Sequence, residues 1–149
     1  MRRPLGRWAG GPVVFALALL GCGPRPGTAK EVVVRGPYAF EAKLGGTGAL
    51  YAVIVNGTDS SETLDSITSA TGFISMHDQV SANGMVTMVP VERPAIAAHD
   101  SLVFEPGARH LMIEGQLRDL VPGDSIDLAF WFTRRGEIRI FAVVRPYGG

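Results

Sequence analysis

Cysteine is almost absent: Cys22 is the only one in the 149-residue chain. No intrachain disulfide can brace the fold, so stability must come from packing. The same scarcity removes several chemistries. Zinc would need a C-x-x-C, an H-E-x-x-H or a carboxylate-histidine cluster, and the chain has none of these. A blue-copper electron-transfer centre needs a thiolate beside its histidines, and Cys22 is far from them in sequence. The G-x-S-x-G elbow of a hydrolase is missing, and Gly45-Gly46-Thr47-Gly48 lacks the lysine and the strand-to-helix context of a phosphate loop. These absences point away from an enzyme. The formal net charge is zero. Arg109, Arg118, Arg134, Arg135 and Arg139 are scattered among Asp and Glu, as on a solvated surface, so nucleic acid is not an expected partner.

Long apolar runs are also missing. Residues 13–20 (VVFALALL) form a stretch shorter than the roughly 20 residues that a membrane helix requires. Preceded by Arg2, Arg3 and Arg7, it reads as an export signal. The run ends in Leu19-Leu20-Gly21-Cys22, which resembles the bacterial lipobox, and Cys22 is accordingly expected to be lipidated as the mature N-terminus. The expected organisation is a lipoprotein signal peptide over 1–21, a lipidated N-terminus and flexible Gly- and Pro-rich spacer over 22–29, and one folded domain over 30–149. This places the protein in the bacterial envelope, tethered by lipid and facing the periplasm or extracytoplasmic space.

What remains is a series of short apolar runs broken by Gly, Pro, Asn and Asp, with no sustained helical period. Strands are expected at 32–35, 49–55, 64–67, 72–77, 85–91, 101–104, 110–114, 125–132 and 137–144. Asn56-Gly57, Asn83-Gly84, Pro106-Gly107, Pro122-Gly123-Asp124 and Arg135-Gly136 supply the turns. The pattern is all-β, a sandwich or Greek-key barrel. The sequon-like Asn56-Gly57-Thr58 reads as a tight turn and not as a glycan site.

Within this frame four residues stand out, in the spacing H-x10-M-x21-H-x-M: His77, Met88, His110 and Met112. On a strand, His110 and Met112 share one face and leave Leu111 and Ile113 to the core. Thioether and imidazole are the ligands open to a protein that binds a soft ion without a thiol, and thioether sulfur selects Cu(I) over harder divalent ions. The competing reading packs Met112 in the core and makes His110 a rim residue. Met76 is expected in the core, Met85 either in packing or as a spare thioether, His99 in an exposed loop, and Trp131 in the sandwich core. Pro90 marks an edge or the end of its strand.

The four-position motif and its flanks resemble the PCu(A)C copper chaperones of the bacterial envelope. The flanks are LYAVIVNG at 50–57, ISMHDQVSANGMVTM at 74–88, the Pro106-Gly107 turn before His110, and Gly123-Asp124 with the closing strands. The resemblance spans residues 31–145 and implies a cupredoxin-like Greek-key β-sandwich that binds one Cu(I) through His77, Met88, His110 and Met112. It further implies a copper acceptor as partner, such as a cytochrome c oxidase subunit at its binuclear copper site or a Sco-type thiol protein. Two departures are visible: Val86 stands where relatives often carry a second Met, and there is no His- and Met-rich tail, so a single site is expected. A copper-sequestering lipoprotein, or a β-sandwich ligand-binding lipoprotein whose Met and His are structural, are the other readings.

Overall fold

The computed structural model describes residues 30–148. The expected signal peptide over 1–21, Cys22 and the spacer to residue 29 therefore lie outside the described residues. Ten strands run in chain order: β1 Val32–Phe40, β2 Thr47–Asn56, β3 Glu62–Thr68, β4 Phe73–Ala82, β5 Met85–Pro90, β6 Ala95–Ile96, β7 Ser101–Phe104, β8 His110–Glu114, β9 Ser125–Phe132 and β10 Gly136–Arg145. They hydrogen-bond in one path, β5-β4-β8-β2-β1-β10-β9-β3-β6, with β7 also on β2. All ladders are antiparallel except β1 with β10. The fold is all-β, as the apolar pattern predicts.

The sheet rolls up because each central strand alternates. In β8, Leu111 and Ile113 are fully buried, as are Leu50 and Ile54 of β2 and Leu128 and Phe130 of β9. These side chains join one core with Leu64, Ile126 and Val144. Fully burying an aliphatic or aromatic side chain of this size contributes roughly 1.5–3 kcal/mol, which suits a chain without a disulfide. The roll brings β3 against β4 with no shared ladder, leaving a cleft bordered by Gly72, Phe73 and Ile67.

Several expectations are corrected. The run expected at 32–35 continues to Phe40, because Gly36, at φ +55°, takes up a bulge between Arg35 and Tyr38 that keeps the strand going past Pro37. The strand expected to stop at His77 runs on to Ala82, where Asn83 (φ +52°) and Gly84 (φ +76°) make the two-residue hairpin turn into β5. The two-residue β6 has too little pattern to be read from sequence. Trp131 is not in the core: it is 40% exposed on the outer face of β9, its indole N–H donating to the Thr68 hydroxyl. Met85 neither packs nor joins a site; it is 70% exposed on the face of β5 opposite Met88. Met76 does pack against the core. His99 is exposed and bonded to Asp59. Asn56 is buried, its Nδ2 donating to the carbonyls of Ser60, Ile96 and Ala97, so it is structural and closed to a glycan. Pro90 ends β5, which is an edge strand.

Candidate metal centre

Three adjacent ladders assemble the site. β8 pairs with β4 so that His110 lies directly opposite His77, and Met112 directly opposite Ser75. β4 pairs in turn with β5, setting Met88 opposite Gln79 and Pro90 opposite His77. Directly opposed residues of an antiparallel pair project from the same face, and so do residues two apart on one strand. Ser75, His77, Gln79, Met88, His110 and Met112 therefore share one face, the side away from Leu111 and Ile113. All four residues of the sequence motif are on it.

The two imidazoles stack, with ring centroids 6.1 Å apart and planes 22° from parallel. His110 is buried at 6% exposure, and its Nδ1–H donates to the Ala108 carbonyl at 2.9 Å. A carbonyl can only accept, so the His110 proton sits on Nδ1 and Nε2 keeps a free lone pair. The His77 Nε2 is 3.0 Å from the Ser75 hydroxyl, and its Nδ1 is buried without a hydrogen-bond partner among the described residues. Both imidazoles thus keep one nitrogen bonded to protein and one free, the usual arrangement of a ligating histidine.

Met88, His110 and Met112 line an open cavity of about 600 Å³, floored by Ala49 and walled by Tyr51 and Phe40. His77 does not line it and reaches the site alongside the His110 ring. Met88 is half exposed and Met112 is more covered, so the two thioethers differ in their access to solvent. Among the described residues no three His, Cys, Asp or Glu side chains gather in metal-binding geometry. The donor set of this face is two imidazoles and two thioethers, which is a soft set.

Sequence reasoning missed the supports. Tyr38, Phe40, Tyr51 and Tyr147 form an aromatic wall, with the Tyr38 and Tyr51 centroids 5.0 Å apart and those of Phe40 and Tyr147 5.3 Å apart. The Tyr38-x-Phe40 spacing was the available signal, hidden by the Gly36-Pro37 break. Burial, and then the neighbouring Tyr38 and Tyr147, push the Tyr51 phenol up from its ordinary value, so it stays protonated at neutral pH. Arg109 clamps Asp78 in a bidentate pair at 2.6 and 2.9 Å, tying the strand after His77 to the residue before His110. The hydrogen bond from the Arg109 guanidinium holds the Asp78 carboxyl below its ordinary value.

Residues 32–144 match the family model described as "Putative lipoprotein LpqE-like". The "Uncharacterized protein RP573" of Rickettsia prowazekii (strain Madrid E) is 33% identical over 86 residues, which cover 56% of this chain and 48% of that protein. The chain thus spans about half the length of that curated relative. Among solved structures, the copper-bound PCuAC domain from PmoF2 matches with a TM-score of 0.64 at 19% identity, over 78% of this chain and 93% of that one. Apo-DR1885 from Deinococcus radiodurans matches with a TM-score of 0.58 at 20% identity, over 97% and 98%. At such identities the likeness is one of fold: the sheet described above is the cupredoxin-like β-sandwich of PCuAC domains.

Proposed function

The chain belongs to the LpqE-like lipoprotein family, and from that premise we propose that it is a Cu(I) carrier of the bacterial envelope. The observation that carries the reading is the cross-strand register, which gathers two imidazoles with a free nitrogen each and two thioethers on one face beside an open cavity. One Cu(I) would be held as cargo by His77, Met88, His110 and Met112. The copper-bound PCuAC domain from PmoF2 and Cu(I)-DR1885 support this, since those proteins share the fold.

Delivery follows from softness and exposure. Cysteine thiolate binds Cu(I) more strongly than thioether, so transfer to a thiol-bearing acceptor runs downhill. Met88, half exposed at the sheet edge, is the ligand an incoming thiolate displaces first. No bond-making catalysis is involved. The acceptor we propose is the binuclear copper site of cytochrome c oxidase, reached directly or through a Sco-type thiol protein. The carrier would be held near the membrane by lipid on Cys22.

The test is an anaerobic Cu(I) competition titration of the full chain against its Met88→Ala/Met112→Ala double variant. One tightly held ion in the wild type and a large loss in a still-folded variant are expected. No stoichiometric binding by the wild type would overturn the carrier reading. Oxidase activity of a deletion strain at low copper tests delivery: sensitivity confined to high copper would point to sequestration instead.

A further inference from the structure

We infer that Ser75 and Glu114 are positioning residues that fix the tautomer of His77, so that its ligating nitrogen is Nδ1 while His110 ligates through Nε2. This rests on the Cu(I) reading and concerns how this chain presents its imidazoles.

Two contacts and one unpartnered atom carry it. Ser75 Oγ donates to Glu114 Oε1 at 2.8 Å, and His77 Nε2 lies 3.0 Å from the same Ser75 oxygen. An ionised carboxylate only accepts, and a serine hydroxyl has one hydrogen to give. With that hydrogen committed to Glu114, the Ser75 oxygen can only accept from His77, so the proton of a neutral His77 ring sits on Nε2. Nδ1 is left as a bare lone pair, and this buried atom has no hydrogen-bond partner among the described residues. Burying an acceptor without a partner is unfavourable, a penalty that ligation of a cation at Nδ1 removes.

The register makes the relay a property of these two strands. Ser75 and His77 alternate on β4, Met112 and Glu114 alternate on β8, and Ser75 lies directly opposite Met112. Glu114 therefore sits on the site face, two residues beyond a proposed ligand. Gly72 helps seat this end of β8: a Cβ there would stand 2.7 Å from the Glu114 carbonyl oxygen. His110 is oriented differently, by the backbone carbonyl of Ala108 at its Nδ1. The two rings are thus held through opposite nitrogens, and the free lone pairs differ accordingly.

The experiment reads the apo chain first. Long-range proton–nitrogen NMR of the full chain should show neutral His77 as the Nε2–H tautomer and neutral His110 as Nδ1–H. Ser75→Ala should make the His77 tautomer mixed, leave the His110 pattern unchanged, and weaken Cu(I) binding by about 10–100-fold, the usual effect of removing a group that orients a ligand. Ser75→Thr, which keeps the hydroxyl, should restore both. A wild-type His77 in the Nδ1–H form, or an unchanged tautomer and affinity in Ser75→Ala, would overturn the inference. The tautomers are measured without metal, so a chain that binds no Cu(I) would defeat the functional reading while the relay is still judged by its own signals.

Discussion

His77 and His110 are directly opposed across the β4–β8 ladder, and their rings stack with centroids 6.1 Å apart. The relationship is set by pairing register and not by the loops between the strands. A slip of one residue would carry one of the two rings to the opposite face, so whatever pins the register also pins the site. The pin is Leu111 and Ile113, fully buried on the other side of β8.

Leu111→Ala should accordingly damage fold and site together. Its side chain is 0% exposed between His110 and Met112, and emptying such a position costs about 2–5 kcal/mol. Against a total stability of about 5–15 kcal/mol, this loss is large. A denaturant titration should show a lower midpoint with little change in slope, and Cu(I) affinity should fall in step.

The thioether variants should behave otherwise. Met88 is half exposed on the edge strand, so Met88→Ala should shift stability by no more than about 0.5 kcal/mol. Met112→Ala, half buried between two core residues, should cost roughly 1–2 kcal/mol. Each should weaken Cu(I) binding by about tenfold or more, or at least 1.4 kcal/mol. Thermal melts of the apo variants beside competition titrations separate the two effects. A Met88→Ala protein that melts early but binds Cu(I) as the wild type does would make Met88 a packing residue.

Much of the frame was legible because it depends on short-range pattern. Alternation in 110–114 announced which face of β8 was core, and Asn83-Gly84 announced the hairpin that returns Met88 toward His77. The motif spacing was legible for the same reason. Ser75, Glu114, Asp78 and Arg109 were not, because their contacts depend on which strands pair and in what register. Trp131 failed differently. Its large apolar ring suggests the core, but Ile126, Leu128, Phe130 and Phe132 make up the core face of β9, and strand parity then leaves Trp131 on the outer face with Asp127. Met85 and Met88 look alike in sequence, and only the odd spacing between them puts them on opposite faces.

Acid should loosen the seam between β3 and the β9–β10 turn. Asp65 accepts from the Thr133 hydroxyl and from Arg93 at 2.7 Å, and these contacts, Thr133 first, hold its carboxyl below the ordinary aspartate value. A lowered folded-state pKa contributes stability that is fully present above the unfolded value, near pH 4, and is lost as pH falls through the folded value. Melting temperatures of wild type and Asp65→Asn should differ at neutral pH and converge as pH drops below about 4. A constant gap across that range would show that Asp65 acts through its shape and not its charge.

The Asp78–Arg109 pair should be measurable even though it is near the surface. Isolated exposed ion pairs contribute about 0–1 kcal/mol because water screens them and long side chains lose freedom. This pair is bidentate, with both side chains about two-thirds buried (31% and 36% exposed), which places it at the favourable end of that range. Asp78 follows His77 and Arg109 precedes His110, so the contact ties together the two backbone segments that carry the rings. A double-mutant cycle with Asp78→Ala and Arg109→Ala should give a coupling of about 0.5–1 kcal/mol that shrinks as salt rises from 0.05 to about 0.5 M. The same cycle read in Cu(I) affinity should show a coupling of the same sign. Coupling in stability without coupling in affinity would make the clamp a feature of the fold alone, with the ring spacing held by the β4–β8 ladder.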